Sequence, residues 1–169
     1  MHKMTIPDPI LRTDVFDVLL TPVPYGWSDL HLHIAEKHFH YFITHVFNDP
    51  YADLMQSLLD LAAGKNESEF TWHEEPGGCT FRTNKIQDQH HKIKVSLYEF
   101  NELCGCIPDY RLACCFEIRT KQWIIIFYLQ LKKIFLLFQD KHFAQPRGGE
   151  EFLRTFHSFE MAVLKYINK

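Results

Sequence analysis

The chain has 169 residues, of which 46% are apolar and 15% aromatic, and its 18 Lys and Arg against 21 Asp and Glu give a formal charge of −3. A chain of this length usually forms one domain, and this apolar content fills a substantial core, which excludes a disordered chain. The balanced charge lacks the basic excess that nucleic-acid-binding proteins show. We therefore expect a single folded domain over residues 1–169 that does not bind nucleic acid.

The sequence also predicts a compartment. The N-terminal segment lacks the apolar run of a signal peptide, and residues 123–138 are shorter than the ~20 apolar residues that cross a membrane. The five cysteines follow neither an even-numbered disulfide framework nor a zinc-ligand spacing, which favours a reducing environment. We expect a cytoplasmic protein without membrane contact, in which residues 1–13 are a loosely held lead-in.

Alternation of apolar and polar residues, which is typical of half-buried strands, begins early in the chain. It predicts strands over residues 15–20, 29–34 and 39–47, with the first of them ended by the proline-rich residues 21–24. A helix is predicted over residues 51–63, because leucines recur there at helical spacing. Asn48 or Asp49 is expected to cap this helix, and Gly64 to end it.

Residues 69–100 show the most regular alternation in the chain. They predict a three-strand antiparallel meander with a turn at Pro76-Gly77. Residues 112–118 predict a further strand, in which Cys114 shares the apolar face of Phe116 and is expected in the core.

Residues 123–138 are the most apolar segment, and two interpretations compete for them. Their first half is β-branched and aromatic, as in a strand, whereas apolar residues recur every three or four positions over the whole segment, as in a helix. We predict a helix against the sheet, followed by an amphipathic helix over residues 152–167. The fold class is α+β, with a single mostly antiparallel meander sheet and one face covered by about three helices.

Two His-x-His pairs stand out among the 11 histidines, His31 with His33 and His38 with His40. Residues two apart share a face of a strand, so a hairpin would gather four imidazoles, which suit a divalent metal. The pairs lack a carboxylate at a diagnostic spacing, and exposed imidazoles on a hairpin need no metal. We predict no metal and no cofactor, with a metal-dependent enzyme using His31, His33, His38 and His40 as an alternative.

Glu74 and Glu75 form a small cluster of acidic residues at the predicted turn. Water at a turn tip suppresses the pKa separation that acid–base catalysis needs, so they are poor catalytic residues. An acidic patch instead suits contact with a basic partner. The sequence has no phosphate-binding loop and no nucleophile elbow, and we expect a protein that is not an enzyme.

Three short motifs carry a resemblance to a known group of proteins. They are Leu58-Leu59-Asp60-Leu61-Ala62-Ala63-Gly64, Phe70-Thr71-Trp72 and Glu74-Glu75-Pro76-Gly77, followed by an alternating strand. Together they resemble bacterial immunity proteins found beside polymorphic or contact-dependent growth-inhibition toxins. The resemblance covers residues 40–167 and implies a helix ending in Gly, an acidic Glu-Pro-Gly turn, a meander and two closing helices.

The resemblance further implies a non-enzymatic cytoplasmic protein that blocks the active site of a cognate toxin domain. Such a partner is expected to be a toxin C-terminal domain with a basic cleft, such as an RNase or DNase, which acidic and aromatic groups can occlude. The predicted partner-binding residues are Glu74, Glu75, Asp109, Tyr110, Asp29 and Glu36. A small-ligand-binding protein or a structural subunit is a third alternative.

Overall fold

The computed structural model describes residues 11–12, 15–101 and 108–169. Its strands are β1 (Leu11–Arg12), β2 (Phe16–Val23), β3 (Trp27–Ile34), β4 (Lys37–Thr44), β5 (Glu67–His73), β6 (Gly78–Ile86), β7 (Gln89–Asn101) and β8 (Asp109–Arg119). Its helices are α1 (Pro50–Ala62), α2 (Thr120–Leu137), α3 (Lys141–Ala144) and α4 (Glu150–Ile167).

The described strands form one sheet in the order β1-β8-β7-β6-β5-β4-β3-β2. Strands β2 to β8 pair antiparallel with their neighbours, whereas β1 pairs parallel with β8. The predicted α+β class with a mostly antiparallel sheet is confirmed. The predicted lead-in contributes Leu11 and Arg12 to this sheet, and its other residues lie outside the described ranges.

Helices α1, α2 and α4 cover one face of the sheet. Helix α1 packs on β5, α2 packs on β2, β7 and β8, and α4 packs on α1 and α2. The core between these layers is strongly aromatic, with Trp72, Phe81, Phe116, Trp123 and Phe127 completely buried. The expected cover of about three helices is therefore present.

The sheet curls around α2. The ring centroids of Phe16 in β2 and Phe116 in β8 are 5.4 Å apart, although these strands lie near opposite edges of the sheet. Phe16 also stacks on Trp123 of α2, with centroids 5.0 Å apart. Helix α2 thus lies against the curled sheet and also packs on α1 and α4, which explains why Trp123, Phe127 and Leu131 are completely buried, whereas Leu129 and Leu136 stay exposed. The helix predicted over residues 123–138 is confirmed.

The sheet consists of two parts that meet at one residue pair. Strands β4 and β5 share a single paired position, Thr44 with His73, whereas the other long strands pair along their length. The part formed by β2, β3 and β4 and the part formed by β5 to β8 are consequently shifted along the strand direction, so that only the ends of β4 and β5 lie side by side. We call the place where they meet the junction.

Several predicted boundaries differ from the observed ones. Strand β2 continues through Pro22 to Val23, so the end predicted at Leu20 is wrong, although the strand does end within the proline-rich residues 21–24. The proline is tolerated because β2 is the last of the described strands in the sheet order, so one of its sides pairs with none of them. Strand β4 ends at Thr44, three residues before the predicted end, because the chain turns there toward α1.

The start and end of α1 follow the prediction. The Asp49 carboxylate caps the helix by accepting hydrogen bonds from the backbone N–H groups of Tyr51 and Ala52. After the helix, Gly64 has a φ of 93°, a conformation that favours glycine. Cys114 is buried in the core, as predicted. Among the described helices, none has the length and apolar character needed to cross a membrane.

Candidate functional site

The predicted site residues lie mainly on the sheet face opposite the helices. In β3, the completely buried Leu30, Leu32 and Ile34 point toward the core, and the polar residues between them point outward. We call this second side the outer face. It carries the histidine pairs and most of the predicted partner-binding residues.

A row of paired residues crosses the outer face at the junction. The sheet register aligns Trp27 with Thr44, Thr44 with His73, His73 with Gly78, Gly78 with Phe100, and Phe100 with Tyr110. The row therefore spans six strands and connects the two parts of the sheet. Gly78 is required at its position, because a Cβ atom there would lie 2.9 Å from the Phe100 ring and 2.2 Å from the Trp72 carbonyl oxygen.

Aromatic rings contact one another along this row. The ring centroids of Phe47 and His73 are 5.2 Å apart, those of His73 and Phe100 are 5.7 Å apart, and those of Phe100 and Tyr110 are 5.2 Å apart. The two ends of this series of rings are accessible to solvent, since 60% of Phe47 and 49% of Tyr110 are exposed, whereas Phe100 between them is only 4% exposed. The rings thus form an aromatic strip with accessible ends and a buried middle.

A second aromatic pair extends the strip onto the first hairpins. Trp27 stacks on Phe42 with a centroid distance of 4.9 Å and an interplanar angle of 12°. Phe42 is 43% exposed. Phe42 was not predicted as a site residue, although it occupies an outward position of β4 together with His38 and His40, where an apolar side chain breaks the alternation.

Glu74 and Glu75 join β4 to the turn after β5. Glu74 Oε1 accepts a hydrogen bond of 2.7 Å from the Phe42 backbone N–H, and Glu75 Oε1 accepts one of 3.1 Å from the Thr44 hydroxyl. Partial burial raises the pKa of the Glu74 carboxyl, and the bond from Phe42 N–H offsets this shift only in part. These side chains therefore take the place of the strand pairing that β4 and β5 lack.

The structure places four of the six predicted partner-binding residues on or beside the aromatic strip: Glu74 and Glu75 lie at the junction, Tyr110 belongs to the strip, and Asp29 pairs with Phe42. Asp109 is exposed at the start of β8 next to Tyr110, but strand alternation directs its side chain to the opposite side, that of Arg111.

Glu36 is the residue that the structure separates from this group. It lies in the turn between β3 and β4, roughly 25 Å along β4 from Thr44 at about 3.3 Å per residue. We define the junction surface as the aromatic residues Trp27, Phe42, Phe47 and Tyr110 with the carboxylates Asp29, Glu74 and Glu75, and with Asp109 at its margin.

The two His-x-His pairs converge on the outer face of the β3–β4 hairpin. The register places His31 opposite His40, and His33 opposite His38. The rings of His31 and His40 stack with centroids 4.2 Å apart and planes within 2°. The His33 and His38 rings also stack, with centroids 4.6 Å apart.

Asp29 supplies the carboxylate that the sequence analysis did not connect with these histidines. Its Oδ1 atom is 2.5 Å from His40 Nε2, and its Oδ2 atom is 3.4 Å from His31 Nε2. His31 Nδ1 and His38 Nε2 form a 3.1 Å hydrogen bond. Partial desolvation lowers the pKa of His38, and the neighbouring His33, His31 and His40 lower it further. The signal for Asp29 is its position two residues before His31, which places both side chains on one strand face.

A cavity of about 490 Å³ lies along β5 and β6. Its lining is polar and includes the ion-paired Glu69 and Arg82. Pockets that carry small ligands are mostly lined by apolar and aromatic side chains. This cavity therefore gives no specific support to the small-ligand alternative.

The fold and the junction surface define an α+β domain that presents aromatic and acidic groups on the outer face of its sheet. Comparisons with protein families, with curated proteins and with solved structures gave no match to this chain.

Proposed function

We propose that the protein is an immunity protein that binds a cognate bacterial toxin domain through the junction surface and neutralises it. The observation that carries this proposal is the set of exposed rings of the aromatic strip, Phe42, Phe47 and Tyr110, with carboxylates beside them on the outer face. Protein–protein interfaces are enriched in Tyr, Trp and Phe at their centre and have a polar rim. Phe42, Phe47 and Tyr110 supply such a centre, and Glu75 and Asp109 supply acidic positions around it.

The charges of the junction surface favour a basic partner. Nucleases that bind phosphate backbones present Lys and Arg in their clefts. Carboxylates held in front of such a cleft attract it and occupy the region where the phosphates of the substrate would bind. In this mechanism the inhibitor performs no reaction, since excluding the nucleic acid is sufficient. The proposed partner is therefore an RNase or DNase toxin domain.

The order of the elements also supports the proposal. Helix α1 ends just before Gly64, β5 leads into the Glu74–Gly77 turn, the meander continues to β8, and α2 and α4 close the core. These are the fold features that the resemblance to immunity proteins implies.

A co-expression experiment tests the proposed function. The C-terminal domain of the protein encoded immediately upstream of this gene is expressed in cells with and without this chain. We expect the domain alone to arrest growth, and its co-expression with this chain to restore growth and to yield a one-to-one complex. A harmless neighbour, or a toxic one that does not bind this chain, would contradict the proposal.

Two substitutions test the junction surface itself. Glu75→Lys and Tyr110→Ala are each expected to weaken binding to the toxin domain by roughly tenfold or more, because they remove a rim charge and a central ring. Glu67→Lys is the matched control, since Glu67 is an exposed carboxylate on β5 far from the junction; it should change the affinity by less than about twofold.

These variants need one further comparison, because Glu75 also accepts a hydrogen bond from Thr44. Thermal unfolding of each variant shows whether it is folded at the temperature of the assay. Equal affinities of the folded Tyr110→Ala, Glu67→Lys and wild-type proteins would exclude the junction surface as the contact.

A further inference from the structure

We propose that the outer face of the β3–β4 hairpin binds a divalent first-row transition metal ion through the Asp29 carboxylate and the Nε2 atoms of His31 and His40. This inference does not depend on the proposed toxin binding, because it concerns the affinity of the isolated chain for an ion.

The three side chains converge without any change of the backbone. His31 and His40 are directly paired across the two strands, and Asp29 lies two residues before His31 on the same face. One ligand atom from each residue lies within 4.8 Å of the others. The Asp29 oxygens lie 3.4 Å from His31 Nε2, which matches the separation of about 3.4 Å between ligands of a tetrahedral zinc ion, and 2.5 Å from His40 Nε2, which is shorter. Because the His31 and His40 rings are stacked with planes within 2°, at least one ring must turn about its Cβ–Cγ bond before both lone pairs point at one ion.

His38 acts as a positioning residue for His31. Its Nε2 atom lies 3.1 Å from His31 Nδ1, so a proton on His31 Nδ1 can be donated to His38. That arrangement leaves the lone pair of His31 Nε2 free for a metal. Histidines that bind metals commonly have their second ring nitrogen held by a hydrogen bond in this way.

The donor set selects the type of ion. Imidazole nitrogens with a carboxylate suit Zn²⁺, Cu²⁺, Ni²⁺ and Fe²⁺, whereas Mg²⁺ prefers oxygen ligands in an octahedral arrangement. Three protein ligands leave at least one coordination position for water on this partly exposed surface. Metal ligands must be deprotonated, so the affinity for the ion should fall as the pH is lowered.

Isothermal titration of the full chain with Zn²⁺ tests the proposal. We expect one Zn²⁺ per chain and no response to Mg²⁺. The double variant His31→Ala/His40→Ala should lose more than about 100-fold in affinity, and His38→Ala about 10- to 100-fold, as for an outer-shell partner. Asp29→Asn should also weaken binding, because it removes the charge of the ligand.

The matched control is His90→Ala/His91→Ala, which removes two exposed, adjacent imidazoles from β7. It should bind Zn²⁺ within about twofold of the wild-type protein. An equal loss in both double variants, or no loss in His31→Ala/His40→Ala, would show that zinc binds surface histidines without a defined site and would overturn the proposal.

A measurement on the unsubstituted protein tests the same proposal if a variant fails to fold. In imidazole ¹⁵N NMR spectra, one equivalent of Zn²⁺ should shift the Nε2 signals of His31 and His40 and leave those of His90 and His91 in place. Shifts spread evenly over all of these histidines would overturn the proposal.

Discussion

Ser28 is completely buried between two ring-bearing side chains. Its hydroxyl is 2.8 Å from His45 Nε2 and 2.6 Å from the Tyr51 hydroxyl. Burial lowers the pKa of His45, although the nearby Asp49 acts in the opposite direction. His45 is therefore held in its neutral form in the folded chain and gains a proton more readily when the chain unfolds.

This lowered pKa predicts a pH dependence of stability. Below the ordinary histidine pKa of about 6.5, the unfolded chain binds a proton at position 45 that the folded chain binds less well. The free energy of unfolding should then decrease as the pH falls, by at most about 1.4 kcal/mol per pH unit for this one group. Urea unfolding at about pH 7.5 and pH 5.5 measures the difference, and His45→Gln should reduce it relative to the wild-type protein. An identical difference in both proteins would contradict the assignment.

The histidine cluster could be predicted from the sequence only in part. The two His-x-His pairs are visible in the sequence because residues two apart share a strand face. Which of them meet across the hairpin depends on the strand register, and a shift of one residue would send the histidines of one strand to the opposite face. The two-residue turn at Ala35 and Glu36 fixes that register, and its conformation is not specified by a periodic pattern.

At the scale of elements, the single paired position between β4 and β5 makes the junction dependent on side chains. Glu74 supplies the acceptor for the Phe42 N–H, yet its carboxylate is partly desolvated, which raises its pKa. The hydrogen bond and the charge therefore have opposite effects on stability, and substitutions can separate them.

Glu74→Gln keeps an oxygen acceptor and removes the charge, whereas Glu74→Ala removes both. At pH 7 we expect Glu74→Gln to be at least as stable as the wild-type protein, and Glu74→Ala to lose about 1 kcal/mol relative to Glu74→Gln. The raised pKa means that the folded chain binds a proton more tightly at Glu74 than the unfolded chain does. Any advantage of Glu74→Gln should therefore shrink as the pH falls through that raised pKa.

Urea unfolding of these variants at neutral and acidic pH measures both effects, with Glu67→Gln as an exposed carboxylate control. A Glu74→Gln protein that is as unstable as Glu74→Ala at pH 7 would show that the hydrogen bond from Phe42 does not survive without the charge.

The long elements follow from the sequence because each has one buried face. Leu30, Leu32 and Ile34 alternate with polar residues, and the leucines of α1 recur at helical spacing. The spacing of apolar residues in the sequence therefore indicates which face of each element is buried. The junction has no such pattern. It arises from the pairing of Thr44 with His73, 29 positions apart in the sequence, and aligning them depends on how α1 packs between the two strands.

For the whole molecule, the two sides of the curved sheet have separate roles. The inner side packs on α1 and α2 and gives the domain its stability. The outer face presents the junction surface and, beside it, the histidine cluster, with Asp29 common to both. Four of the predicted partner-binding residues lie together there, with Asp109 at the margin, whereas Phe42 and Phe47 were found only from the structure, since their exposure depends on where the helices pack.

The proposed function is tested most directly by titrating the purified upstream toxin domain into this chain at about 50 and 200 mM salt, two concentrations at which surface charges are screened to different extents. We predict a one-to-one complex that weakens by roughly tenfold at the higher salt concentration, because acidic groups of the junction surface face a basic cleft. Absence of binding would contradict the proposed function. Binding that is insensitive both to salt and to Glu75→Lys would contradict the junction surface as the place where the toxin domain docks.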